Sequence, residues 1–574
     1  MSQVAVSNIT SEKHKSTRLM ADSWRGSIAR SEITFLVCFT LALCVLTSLP
    51  YVLARVVSFP GSEFSGVLDH SLDTNNYLAY VHESATGSWI FHNPMTGEAH
   101  APAFFNLEWL FMGKVARLFH LQPAAAMNVC RLLCLALLCA AVYWLSSFLF
   151  ESPLMRRIAT VACLAGGGFG WIAAVHLFHV RLDSSYFLDL TNANLFPFYW
   201  ELRVAHFLVA ESFIVLGLCF FLCAESSGRV CYYAATGLCY IAAGTCRPYD
   251  MLFVMAATSL FLALSYKRAY QPDLALVLRA LPIWICVPVL GYYYWLFKLH
   301  PVFRWWSIAG NPAPPAWLLA LSFGPSFLLL PVAAWRLRRE RISSAGLFLL
   351  CCFLSAVVLA HLHWLFHFTF QFATNILIPM VMLVLLGIER PIIRFTQNQR
   401  WAMAWIVSIL FVNSLTSLAL AGQAVVLVAH GEYRIDTDRL AAFSWLNAHS
   451  QPGDITLADL ETSNSLPQYI SSRVYCGYGN AVHADYKLKA VREFFNPQAA
   501  NGFREDLIRR NGIQFVLLTG SEIGDLDGVV HASLLKEVYR NNSAVILSVQ
   551  PLAGNIAAGG LTYNGPNPIQ ALPR

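Results

Sequence analysis

Apolar runs of about twenty residues recur along this chain, and each is long enough to cross a bilayer as a single helix. Eleven stand out, at 33–54, 125–149, 158–179, 204–224, 230–246, 249–266, 276–297, 317–335, 344–362, 374–388 and 402–429. So many runs point to one class, a polytopic α-helical membrane protein with about 11 transmembrane helices. Composition agrees: 57% of the 574 residues are hydrophobic and 13% are charged. Soluble proteins carry about 25% charged residues, so too little polar surface exists here to cover a soluble enzyme of this size. Disorder, a collagen-like chain and a small disulfide scaffold are excluded on the same ground.

The charges are unevenly spread. Of 72 Lys, Arg, Asp and Glu residues, 26 follow residue 430, 12 basic and 14 acidic. The chain therefore divides into an N-terminal segment (1–32), a membrane body (33–430) and a soluble tail (431–574). No basic run interleaved with aromatics occurs in a soluble segment, which argues against nucleic acid as a partner. Fourteen of the fifteen cysteines lie at or before Cys352, in or beside apolar runs, and Cys476 stands alone in the tail. They read as small hydrophobes, since no disulfide framework can be built from one tail cysteine. About thirty mostly polar residues precede the first run, so the start is expected not to be a cleaved signal.

Orientation follows from the basic residues. Lys13, Lys15, Arg18, Arg25 and Arg30 precede the first run. Alternate loops then carry Arg156 and Arg157, Arg229, Lys267 and Arg268, Arg336 to Arg341, and Arg390 to Arg400. The intervening loops are longer yet poorer in positive charge. This predicts a cytoplasmic N-terminus and an extracytoplasmic tail. The outer loops are then 56–124, 180–203 and 298–316. Within the first, Asp73–Ser84 is helix-like, and Phe105–Phe119 is amphipathic and expected to lie in the interface plane. The tail alternates helix and strand. Helices are expected over 438–449, 485–495 and 503–510, and strands over 454–458, 473–476, 513–518 and 545–549. This pattern predicts a C-terminal soluble α/β Rossmann-like domain.

Chemistry concentrates on the outer side. Asp69 and Asp73 lie four apart and would share a face if their segment is helical. A carboxylate beside the low dielectric of a membrane suits a general base, and a solvated loop with an Asp cap is the simpler alternative. Glu201, Arg203 and His206 stand at the mouth of a span, where they serve a site or an interfacial belt. Arg247-Pro248-Tyr249-Asp250 interrupts an apolar run. Its Arg and Asp either form a local i, i+3 pair or put a cation where a lipid-linked phosphate binds. His361, His363 and His367 read as interfacial histidines. Gly166-Gly167-Gly168-Phe169-Gly170 reads as a close-packing segment. Gly477-Tyr478-Gly479 lacks the spacing of a nucleotide loop, and no GxxxxGK[ST] sequence occurs.

The order of these parts resembles the GT-C superfamily of integral membrane glycosyltransferases, in particular bacterial multi-span members with an extracytoplasmic α/β domain. The resemblance rests on Asp73-x-x-x-Tyr77-Leu78-Ala79, Gly87-Ser88-Trp89, Asn93-Pro94, Arg247-Pro248-Tyr249-Asp250 and Ile378-Pro379. In the tail it rests on Arg473 to Gly479, Asp485-Tyr486-Lys487 and Phe494-Phe495. It covers nearly the whole chain, with short motifs whose order is more specific than any one of them. The resemblance implies a cell-envelope enzyme of the bacterial inner membrane. Its donor would be a sugar on polyprenyl phosphate, and its acceptor a glycan, lipid or protein. The catalytic role of the first-loop carboxylate falls on Asp73, with Asp69 second and Glu201 joining from the second outer loop. Donor phosphate and substrate fall to Arg247, Tyr249, Asp250, Arg203, His206 and Tyr77. A divalent cation, Mg or Mn, would use Asp69, Asp73 and Glu201 if the reaction requires one. The first-loop pattern is neither a DxD nor an adjacent Asp-Glu pair, and Phe370–Asn375 at the tenth run lacks the arginine expected there. The alternatives are a transporter or flippase of lipid-linked sugars and a non-catalytic assembly subunit. Polar groups gathered at the outer face rather than deep in the spans favour the enzyme.

Overall fold

A computed structural model describes residues 30–69, 72–176, 187–191, 193–266, 273–307, 310–339, 342–399, 401–523 and 534–550. The N-terminal basic residues before Arg30, His70 and much of the second outer loop lie outside these. The body is helical and multi-pass. Six helices are long and apolar enough to cross a membrane: Arg30–Val56, Pro123–Ser147, Ala205–Ser227, Pro248–Tyr266, Ala316–Arg339 and Phe370–Asn398. The pair Ala402–Asn413 and Leu415–Ala429, bent by 47°, is together long and apolar enough to be counted as a seventh.

The expected eleven are not reached by this measure, for two physical reasons. Val230–Cys246 and Ser344–Ala360 are apolar but have 17 residues each, about 25 Å of helix against a hydrocarbon core of about 30 Å. Two further runs are broken. One stops at Leu164 and resumes at Gly170. The other divides into Asp273–Arg279 and Leu281–Tyr294, followed by a π-helical turn. The glycine run does more than permit close packing. At the break, the N–H groups of Gly168 and Gly170 donate to the buried Asp189 carboxylate at 2.9 and 2.8 Å, and Thr416 donates to the same oxygen. An uninterrupted helix would have used those N–H groups internally.

The loop between the first two membrane helices is built on two helices packed together, Leu72–Thr86 and Leu107–Phe119. Asn106 caps the second, accepting from the N–H groups of Glu108 and Trp109, as an Asn at this position should. Gly113 lets the helices touch: a Cβ there would fall 2.2 Å from Ser84 Cβ. One face of Leu107–Phe119 is thus packed, and Lys114 reaches across to the carbonyls of Ser84, Gly87 and Ser88. The other face exposes Phe111, Leu118 and Phe119. An aromatic cluster of Tyr80, Phe91, Phe104, Phe303 and Trp306 ties this loop to the third outer loop.

The tail begins with a strand that returns to the first loop. β1 (Ser62–Phe64) pairs antiparallel with β2 (Arg434–Asp436). The remaining strands, β3 (Ile455–Leu457), β4 (Arg473–Val474), β5 (Phe515–Thr519), β6 (Leu535–Arg540) and β7 (Ala544–Val549), form one sheet in the order β4-β3-β5-β7-β6. β4, β3 and β5 are parallel, whereas β7 pairs antiparallel with both β5 and β6. The sheet is therefore mixed rather than uniformly parallel. Side chains alternate along β5 as the pleat requires. Val516 and Leu518 pack with Val491, Phe494 and Leu507 of helices Ala484–Phe494 and Asn501–Asn511. Leu517 packs with Phe443 and Leu446 of helix Thr437–His449. Helices thus cover both faces.

Candidate functional site

Asp73 sits in the first turn of helix Leu72–Thr86, where the positive end of the helix dipole favours an acidic side chain. It is exposed and accepts a hydrogen bond from Tyr478 Oη of the tail at 2.7 Å. Asp69 precedes the helix, so the two carboxylates do not share a helical face. Asp69 instead accepts from Thr74 Oγ1 at 2.6 Å and lies in electrostatic range of Tyr199 and Tyr433, two rings that Arg203 also reaches. Arg203 stacks over Tyr199 and Tyr433 and reaches Gln423. It marks the junction of the second outer loop, the last membrane helix and the tail.

Inward from Asp73 the helix presents Tyr77. Its ring lies 4.7 Å from that of Trp109 and 4.9 Å from that of His206. Burial, then the charge of Asp73, raises the Tyr77 hydroxyl well above its ordinary range, so Tyr77 keeps its proton. His206 Nδ1 is 2.7 Å from Glu108 Oε2, both side chains being almost fully buried. This bond fixes the ring and leaves Nε2 as the atom uncommitted among the described residues.

The Arg247–Asp250 turn lies one layer deeper. The apolar run divides here, as expected, into Val230–Cys246 and Pro248–Tyr266, with Pro248 at the first helical position where its missing N–H costs nothing. Arg247 is fully buried. Its Nε stands 3.4 Å from Asp250 Oδ2, an ion pair whose angles fall outside hydrogen-bond geometry. Arg247 Nη2 donates to Gln371 Oε1 at 3.1 Å and Thr374 Oγ1 at 3.0 Å, and Asn375 Nδ2 donates to Asp250 Oδ1 at 3.1 Å. The tenth run, which lacks its own arginine, thus receives one from Arg247. Tyr249, half-buried, lies between this layer and Asp73.

Glu201 is elsewhere. It is fully buried, and neither carboxylate oxygen has a hydrogen-bond partner among the described residues. Its surroundings are Arg131, Cys44 and Cys139, and Arg131 bonds its backbone carbonyl. The structure therefore brings together Asp73, Tyr77, His206, Tyr249, Arg247 and Asp250. It sets Asp69 with Arg203 to one side and Glu201 apart. Among the described residues no three His, Cys, Asp or Glu side chains converge as metal ligands. Asp69, Asp73 and Glu201, in three different surroundings, do not fit a divalent cation as a set.

Four groups of this neighbourhood escaped the sequence reading. Glu108 was hidden in an amphipathic stretch, although Asn106 two residues earlier is a capping signal. Glu211, buried and in electrostatic range of Arg247 and Asp250, is an acid inside an apolar run and so carried its own signal. Gln371 and Tyr478 had none, because their partners lie 124 and 405 residues away.

No family model matches the sequence, and no curated protein matches it. Solved structures do resemble it. The oligosaccharyltransferase of Archaeoglobus fulgidus in its apo form superposes at a TM-score of 0.51 and 11% identity, over 90% of this chain and 75% of that one. The mycobacterial arabinofuranosyltransferase AftD superposes in two structures, at TM-scores of 0.56 and 0.53 with 12% and 13% identity. Each covers 90% of this chain, which spans only 42% and 40% of the AftD chains. The likeness is one of fold: this chain shares the overall architecture of these two membrane enzymes.

Proposed function

We propose that this chain is a membrane glycosyltransferase of the GT-C type. It transfers a sugar from a polyprenyl-phosphate-linked donor to an acceptor hydroxyl on the face that carries the tail. The observation that carries this reading is Asp73: an exposed carboxylate at the rim of the membrane body, already accepting a hydrogen bond from a hydroxyl.

In this mechanism the acceptor hydroxyl gives its proton to Asp73 as its oxygen attacks the anomeric carbon. The bond from that carbon to the phosphate oxygen breaks, and the electron pair leaves with polyprenyl phosphate. One displacement inverts the centre. Positive charge for the departing phosphate comes from Arg203 at the rim, and the His206 ring, which Glu108 holds at Nδ1, lines the site through Tyr77. Arg247, being buried, acts indirectly: it pins Gln371 and Thr374 and so fixes the wall on which Tyr249 stands.

The test uses purified protein in nanodiscs with a panel of polyprenyl-phosphate sugars, following release of polyprenyl phosphate. Loss of a positioned general base costs about 10²–10⁴ in rate, so Asp73→Asn should fall by that factor and still fold. Wild-type release by this variant would remove Asp73 as the base. Donor binding without release from any donor, acceptors included, would instead indicate a carrier of lipid-linked sugars.

A further inference from the structure

The hydrogen bond on Asp73 comes from the tail, and the surrounding contacts show that it is built rather than incidental. The segment Gly477–Gly479 is clamped to the first outer loop on both sides. Gly477 N donates to Met95 O at 2.9 Å, and Asn93 Nδ2 donates to Asn480 O at 3.0 Å. Val482 N donates to Thr96 Oγ1, and Lys487 pairs with Glu98 at 2.6 Å. Gly477 is seated so closely that a Cβ would meet Met95 Sδ at 2.7 Å and Ser463 O at 2.8 Å, whereas Gly479 faces open space. The clamp therefore holds the backbone under the half-buried Tyr478 side chain. Burial, then the charge of Asp73, raises the Tyr478 hydroxyl, so it stays a donor.

We propose that Tyr478 is a placeholder for the acceptor: its hydroxyl occupies the seat on Asp73 that the acceptor hydroxyl takes, and it turns away when the acceptor arrives. The proposal rests on the reading of Asp73 as the base. Its chemical purpose is to suppress hydrolysis. A base beside a glycosyl phosphate also serves water. Water would lose a proton to Asp73, its oxygen would bond the anomeric carbon, and polyprenyl phosphate would leave with no acceptor glycosylated. An O–H donor at 2.7 Å, within the 2.6–3.2 Å reach that proton transfer requires, blocks that seat.

The experiment measures polyprenyl-phosphate release with and without acceptor for wild type, Tyr478→Phe, Gly477→Ala, Gly479→Ala and Asp73→Asn. The variant Tyr478→Phe keeps the ring and removes the donor. Its acceptor-independent release should rise about tenfold, the worth of one hydrogen bond to a charged group, and its KM for acceptor should fall. Gly477→Ala, which displaces the backbone under Tyr478, should move hydrolysis in the same direction, and Gly479→Ala should not. Unchanged acceptor-independent release in Tyr478→Phe, with Asp73→Asn inactive, would overturn the placeholder and leave the base standing. A fall in transfer by Tyr478→Phe without added hydrolysis would also overturn it, by making the phenol a positioning group. Wild-type release by Asp73→Asn would overturn the base and the placeholder together.

Discussion

The rim around Asp73 and the layer around Arg247 both hold charge between apolar runs, and the structure uses them in opposite ways. Asp73 is exposed, at a helix start, and satisfied by a hydroxyl from another part of the chain. Arg247 and Asp250 are fully buried and spend their charge on each other and on Gln371, Thr374 and Asn375. A charge that meets substrate must be reachable; a charge that holds helices in register must not be. His206 and Glu108 link the two: both are buried, and the His206 ring lies 4.9 Å from that of Tyr77 on the Asp73 helix.

The largest effects should separate the two layers. Removing one partner of a buried ion pair costs about 3–5 kcal/mol, because the other charge is left unpaired. Arg247→Ala should therefore lower thermal stability in detergent by an amount of that order, whereas Asp73→Asn should leave the melting temperature near wild type and lose turnover. If Arg247→Ala folds normally and only weakens donor binding, Arg247 belongs to the rim. Glu108→Gln tests the group between. A hydrogen bond to a charged partner is worth about 1.5–3 kcal/mol, so kcat should fall about ten- to a hundredfold. Glu108→Asp, which keeps a carboxylate facing Nδ1, should recover part of the rate; an equal loss in both variants would make Glu108 merely structural.

The sequence showed the apolar runs, the polar break at Arg247 and most of the tail, because each rests on local periodicity. It missed β6, an edge strand whose residues are mostly exposed, so no alternation of apolar side chains marks it. Not every expected run forms one long unbroken helix, because apolar composition does not reveal that Gly168 and Gly170 turn their N–H groups to Asp189. Candidate carboxylates were visible as acids near apolar runs, yet their exposure was not. Asp73 and Glu201 look alike in sequence, and only packing from distant segments distinguishes them.

A carboxylate in the tail measures what partial burial alone does. Burial raises Glu522 from its ordinary 4.5 to about 7, against the hydrogen bond from Thr519 N, with Asp459 adding to the rise. The native state then holds a proton that the unfolded state has lost between those values. Stability is fully present below about 4.5 and declines as pH rises through about 7. Glu522 is partly exposed, so the discounted effect is about 1 kcal/mol. Melting curves from pH 5 to pH 8 should fall more steeply for wild type than for Glu522→Gln, and parallel curves would remove this group from the pH response.

Glu201→Gln should change transfer least of all, and for that reason it tests the comparison most sharply. Glutamine keeps the shape of the side chain, so the packing against Cys44 and Cys139 survives. Arg131 keeps its bond to the backbone carbonyl of residue 201, its contact with Asn128, and its place 4.5 Å above the Tyr51 ring. Nothing that touches Asp73, Tyr77 or His206 moves. Transfer rates should therefore stay within about twofold of wild type, the range expected of a change outside the reacting groups, about 0.4 kcal/mol. The decisive result is the double variant with Asp73→Asn. Independent sites give additive losses. The double variant should then match Asp73→Asn within about twofold; a large loss from Glu201→Gln alone, together with a double variant no worse than Asp73→Asn, would show that the two carboxylates act as one unit in spite of their separate surroundings.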